Sequence, residues 1–439
     1  MSTRRKWTEF LILAMSCGII FQVGYIRFVF LGPTIAALEL TAQQYGSIIS
    51  VFGATAIVMY FFGGWFADRF SPKLLIALGL AGTGLLNFYI AQAPGYWGTL
   101  IAHVLTAVLA MGLYWSALIK AISLLGESDE QGRLFGFLEG TRGVTSTLVG
   151  LVGAGLVAVA VTDAFGVLWL IRIYGVLNLV LAALVLFYVS VGSKAPSDDE
   201  SSTVSIRQLW LAARNKYTWL IGITAMLMYT FYTLLGYFSP LLETHFGVAA
   251  GLIGVIGVMR TYFFQLAAPV GGLVVDKVTR SSPRFLRWMF AGCLVIAVAF
   301  LIMPRSDSFA WLAVVLMFVL SLFVFASRGV YFATVGEVEI PQNQRGGVIG
   351  LVSGIAFLPD AFLPSVAAWW IGDPNANPPV AEAGGGYTAM FSVLIAAALL
   401  GLVFTKLTER ARARDLAART ADTSPPPSPA TTTTTTPTG

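Results

Sequence analysis

Twelve long apolar runs constrain this chain more than any motif in it. They lie at about 9–37, 43–66, 74–92, 98–125, 134–160, 166–191, 217–241, 249–275, 286–304, 309–336, 346–371 and 387–406. A helix crosses the hydrocarbon core of a bilayer with about 20 predominantly apolar residues. Backbone polar groups find no water in that core, so only helices and closed barrels span it. A barrel needs alternating segments of about ten residues, and the runs here are longer and continuously apolar. Charged residues make up 11% of the chain and hydrophobic ones 57%, against about 25% charged in an average soluble domain. Too few charges remain to build a soluble surface. The expected fold class is therefore an all-α membrane protein with twelve transmembrane helices.

The positions of the cations predict orientation. Of the 27 lysines and arginines, 20 fall in or beside the segments on the side of the N-terminus, six fall within spans, and Arg305 alone lies on the other side. The positive-inside bias then places both termini in the cytoplasm. The net charge of +5 is thereby a topology signal, and no nucleic-acid partner is expected. Arg4, Arg5 and Lys6 precede an apolar run that passes Arg27 without a small-residue cleavage site, so that run reads as a retained first helix. The longest internal polar segment follows the sixth run. The predicted organisation is a six-helix bundle over 1–192, a cytoplasmic loop over 193–216, a second six-helix bundle over 217–408 and a disordered tail over 409–439. That tail carries six consecutive threonines and a proline run.

One motif occurs twice. Gly64, Asp68, Arg69 and Lys73 follow the second run; Gly272, Asp276 and Lys277 follow the eighth, with Gly, Asp and cation displaced by 208 residues. Glycine allows close helix approach, and an Asp at a helix end can cap a neighbour and pair with a cation. These residues are expected to form a gate at the cytoplasmic ends. On this repeat, in a 6 + 6 chain, the sequence resembles the major facilitator superfamily over about residues 7–408. The resemblance implies two pseudo-symmetric bundles rocking about a central site by alternating access. Gly24-Tyr25-Ile26-Arg27 and Asp68-Arg69-Phe70-Ser71-Pro72-Lys73 further resemble the organophosphate:phosphate antiporter branch. The second arginine of that branch, in the seventh span before Ser239-Pro240, is replaced here by tyrosines at 229, 232 and 237. Organophosphate is therefore not carried over as the substrate.

Ionisable residues inside spans cost about 2.5–3.5 kcal/mol each on insertion scales and mark function by default. They are Arg27, Lys120, Glu139, Arg142, Arg172, Arg260, Arg328 and Asp360. Six cations against two acids predict a central cavity that favours an anion. Arg27 and Arg260 fall near mid-span and are expected to bind substrate, with Tyr25, Trp115, Tyr229 and Tyr232 beside them. Asp360 either holds Arg260 or serves as a protonatable coupling group, and Glu139 is a second coupling candidate. Lys120, Arg142 and Arg328 lie towards the cytoplasmic ends and are expected to gate. Arg172 is expected to snorkel, and His103 to be a satisfied packing residue. Cys17 and Cys293 lack ligand spacing, and no phosphate-cradling glycine loop appears, so neither metal, cofactor nor enzyme activity is expected. The sequence predicts a monomeric secondary transporter of a small organic anion, in the cytoplasmic (inner) membrane of the cell, coupled to protons or to a counter-anion. A carrier of a neutral solute, sugar or drug, and a non-transporting membrane sensor, are the alternatives.

Overall fold

A computed structural model describes residues 3–126, 130–191, 206–338, 340, 342–372 and 385–422. The described residues are helices joined by short turns, and no strand occurs among them. The first span is split: α1 (Thr3–Ile20) ends, residues 21–26 turn, and α2 (Arg27–Ala37) resumes. A second irregularity follows inside α2: Pro33 removes a backbone donor there, and Phe30 leaves helical geometry at φ −124°, ψ 49°. The remaining spans of the first half are α3 (Ala42–Arg69), α4 (Pro72–Ile90), α5 (Gly95–Ala107) running through a π-helical stretch, Val108–Trp115, into α6 (Ser116–Ser123), α7 (Gln131–Val159) and α8 (Asp163–Tyr188). Side chains fix several starts: Thr41 and Gln44 form a reciprocal capping box on α3, and Thr162 caps α8.

A short helix, α9 (Ile206–Arg214), leads into the second half. It contains α10 (Lys216–Leu234) with α11 (Phe238–Phe246), α12 (Ala250–Thr261) with α13 (Ala267–Val274), α14 (Ser282–Ile302), α15 (Ala310–Arg328), a single turn α16 (Thr334–Glu337), α17 (Gln342–Ile371) and α18 (Gly386–Asp422). Ten of the helical segments are long and apolar enough to cross a membrane. The split first span and the 28-residue α3 complete the twelve. The tenth span ends earlier than expected, at Arg328, and turns through 329–333.

The tail also differs from expectation. Residues 409–422 continue α18 as helix, while 423–439, where the threonine run lies, fall outside the described residues. At 37 residues, α18 is about 55 Å long, well beyond the hydrocarbon core. Its overhang is held by charge. Glu409 pairs with Arg284 and Arg287, Arg412 with Glu337, and Asp415 with Lys216 and the Tyr217 hydroxyl. Composition forecast disorder because it could not see these partners on the ends of α10, α14 and α16.

The two halves meet at the end opposite the termini. Gly46 and Gly53 put the backbone of α3 directly against α17. A Cβ on Gly46 would lie 2.8 Å from the Pro364 carbonyl, and one on Gly53 would run into the carbonyl of Asp360. Ser365 donates through N and Oγ to Ser50 Oγ at 3.1 and 2.8 Å across the same seam. Toward the termini the halves diverge. Gly64, Gly136, Gly140 and Gly272 all have open space beside them.

Candidate functional site

Where the halves diverge they enclose a cavity of about 570 Å³. Irregular backbone lines it. The turn after α1 brings Phe21, Gln22 and Tyr25; the π-helical stretch brings Met111 and Trp115; the unwound end of α12 brings Thr261, Tyr262 and Gln265; the end of α15 brings Arg328, and the turn after it Gly329, Tyr331 and Phe332. Broken helices tolerate exposed backbone at membrane depth only where it faces protein or a water-filled cavity. Such breaks also build substrate sites in secondary transporters. The four breaks converge on one space.

Its charges are Glu139, Arg142 and Arg328. Glu139 accepts from Arg142 Nη1 at 3.1 Å, one turn along α7. Arg328 has no carboxylate partner among the described residues. Its guanidinium instead lies over the Tyr232 ring at 4.4 Å and near Phe325 at 5.9 Å. Cation–π contacts of this kind hold an arginine in place while leaving N–H donors available. The remaining lining is amphipathic: Tyr25, Tyr60, Trp115, Tyr232, Tyr331, Gln22 and Gln265 offer both ring faces and hydrogen-bonding tips.

Several expected site residues lie elsewhere. Arg27 is 4% exposed and does not line the cavity. It stands at the first residue of α2, and its Nη2 donates to Asp360 Oδ1 at 3.0 Å. Asp360 also accepts from the Tyr229 hydroxyl at 2.8 Å and the Thr233 hydroxyl at 2.9 Å. The carboxylate expected to hold Arg260 therefore holds Arg27, across the seam between halves. The reason is the pair of glycines on α3, which carry α17 up against the first half. Tyr229 likewise serves Asp360 rather than the cavity. Arg260 is wholly buried, and its three guanidinium nitrogens have no hydrogen-bond partner among the described residues. It is neither held by Asp360 nor among the residues that line the cavity.

The charge surplus is thus disposed of piecemeal. Arg172 donates to the Ala91 carbonyl at 3.0 Å, at the end of α4, so it caps a helix instead of snorkelling. Lys120 is half-buried near the end of α6 and does not line the cavity. His103 Nδ1 meets the Thr99 carbonyl at 2.8 Å, but its Nε2 has no partner among the described residues. Cys17, expected only to pack, lies in the cavity lining.

The described side chains of the repeated motif make no gate in this conformation. A methyl group placed on Gly64 or Gly272 would meet nothing within 4 Å. Arg69 lies over Trp65 at 4.2 Å. Asp276 and Lys277 are exposed and form no ion pair among the described residues; Lys73 is half-buried. The side chain of Asp68 lies outside the described residues. The close approach expected of these glycines requires the end carrying the termini to shut, and here it is open. The residues missed from the sequence, Gln22, Gln265, Tyr60, Tyr262 and Tyr331, are uncharged. A search for mid-span amides next to tyrosines would have found Gln22 and Gln265.

Known proteins match this arrangement. The family model described as Major Facilitator Superfamily matches residues 11–364. The inner membrane protein YihN of Escherichia coli is 28% identical over 410 residues, covering 92% of this chain and 95% of that protein. The inner membrane protein YqcE of the same organism is 29% identical over 428 residues, covering 96% and 97%. A hexuronate transporter of Bacillus subtilis is 22% identical over 339 residues, covering 73% and 77%. Among solved structures, a bacterial homologue of the human lysosomal transporter Spinster, inward-facing and unoccupied, superposes with a TM-score of 0.73 at 14% identity, covering 94% of this chain and 99% of that one. The chain therefore belongs to the Major Facilitator Superfamily, and is a multi-pass membrane transporter rather than an enzyme.

Proposed function

We propose that the protein carries a small organic anion, a carboxylate, sulfonate or phosphate ester on a hydroxylated body, across the inner membrane by alternating access. The observation that carries this reading is Arg328: a cavity-lining guanidinium laid over Tyr232 with no acid beside it among the described residues. Arginine presents a planar, two-pronged donor set that matches such oxyanions. The tyrosines, Trp115 and the two glutamines suit a hydroxylated body, and the name of the hexuronate transporter fits that chemistry. Both termini lie in the cytoplasm on the cation count, so the conformation described is inward-facing. Asp360 and Arg27 lock the outer seam, and Glu139 restrains Arg142 on the open side. A proton reaching Asp360 would remove the charge that holds Arg27, which couples outer opening to protonation; exchange of one anion for another is the alternative drive. Asp68, Asp276 and the cations beside them form the inner gate when that end shuts.

The test is a thermal-shift screen of the purified protein against organic anions and neutral sugars, followed by uptake into proteoliposomes. Hits should carry a negative charge. Arg328→Lys should weaken binding about tenfold or more, the loss of one charge-assisted hydrogen bond, and Arg328→Ala should abolish uptake while the protein still folds. A best ligand without charge, bound equally by Arg328→Lys, would assign the protein to neutral-solute carriers instead.

A further inference from the structure

A second, smaller cavity of about 130 Å³ straddles the closed seam at the end opposite the termini. It lies apart from the central cavity and shares no lining residue with it. The first half contributes Asp163, at the start of α8, and the outer part of α2; the second half contributes Ser239 and Glu243 of α11. Asp163 and Glu243 are the ionisable side chains in this lining. They come from opposite halves, so their like charges oppose closure of the seam that Arg27 and Asp360 hold shut. Two further features point to a ligand. The Ser239 hydroxyl is buried, at 3% exposure for the residue, and has no partner among the described residues. Pro33 withholds the amide hydrogen that an unbroken helix would give to the Val29 carbonyl, and the non-helical Phe30 loosens the same turn. Val29, Phe30 and Pro33 all line the cavity.

Carboxylates, a hydroxyl and a main-chain carbonyl are oxygen donors that hard cations take, and calcium accepts six to eight such donors in flexible geometry, water included. We infer that this seam cavity binds a divalent cation, bridging Asp163 of one half to Glu243 of the other. Such an ion turns repulsion across the seam into attraction. Because the site exists only while the outer seam is closed, binding from outside biases the carrier toward the inward-facing state, and by linkage slows entry of substrate from that side. The inference stands whether or not the central cargo is an anion.

The experiment uses the purified full chain in nanodiscs, titrated with CaCl₂ and with KCl at matched ionic strength, read by calorimetry and by melting temperature. The wild-type protein should bind one Ca²⁺ per chain in the range of about 0.1–1 mM, typical of extracellular sites, and melt higher when loaded. Glu243→Gln and Asp163→Asn should each weaken binding at least about tenfold, and Ser239→Ala by less. The double variant Asp163→Asn/Glu243→Gln should melt no lower than the calcium-free wild type, since a repulsion has been removed. No binding up to about 10 mM Ca²⁺, an equal response to KCl, or unchanged binding in both single variants overturns the site. A melting temperature that rises on acidification with no calcium response also overturns it, and identifies the pair as a proton site. Asp163 is exposed at a helix end, so its variant keeps the test open if Glu243→Gln fails to fold.

Discussion

Arg27 and Arg260 show how differently two mid-span guanidiniums can be treated. Arg27 has a carboxylate, and that carboxylate has two hydroxyls as well. Removing one partner of a buried pair leaves the other charge unpaired, which costs about 3–5 kcal/mol. Arg27→Ala should therefore lower the unfolding free energy by that order, and Asp360→Asn on top of it should restore part of the loss. A double-mutant cycle on thermal or denaturant unfolding measures both. Arg260 should behave in the opposite sense. An apolar residue of similar length relieves a buried charge that has no partner among the described residues, so Arg260→Met should raise stability by about 1–4 kcal/mol, the range found when buried ionic groups give way to packed hydrophobics. A clear fall in melting temperature would mean that Arg260 is held by something this conformation does not show.

At the scale of elements, the crossing of α3 and α17 and the overhang of α18 are the two joints that invite substitution. A side chain at Gly53 has to displace the α17 backbone at Asp360. Gly53→Leu should keep the outer seam from shutting, so that uptake falls to background while labelling of outer-seam cysteines from outside rises. The overhang depends on Glu337, which accepts from the Ser282 amide at 2.8 Å at the start of α14 and pairs with Arg412 of α18. Glu337→Gln weakens both a helix N-terminus and an ion pair, and should cost about 1 kcal/mol. The melting temperature in low salt reads the loss, and added salt should shrink the difference from wild type.

For the whole molecule, the open end and the closed end make a prediction about sidedness. In a background lacking Cys17 and Cys293, Ala413→Cys should react with an impermeant maleimide only from the cytoplasm, and Ser306→Cys only from outside. Both positions are exposed. Ser353→Cys, in the central cavity, should react from the cytoplasmic side and be protected by the transported substrate. Labelling of Ser306→Cys from the cytoplasm would reverse the orientation that the cation count assigns.

Fold class was written in local properties of the chain: run length, apolarity and a motif repeated after 208 residues. Those fix membrane-spanning helices and a two-fold division because each span meets lipid and satisfies its backbone on its own. The candidates for function were legible too, since ionisable groups in spans are few. Their partners were not. Whether Asp360 reaches Arg27 or Arg260 depends on how closely α17 packs on α3, and that is set by Gly46 and Gly53 on a different helix, hundreds of residues away. Arg27, just after the break at 21–26, lies outside the cavity lining, while Arg328, just before the break at 329–333, lies in it. The overhang of α18 stayed helical because charges from three other elements met it. Depth along a span can be counted in residues; azimuth and pairing across helices are decided only when the bundle packs.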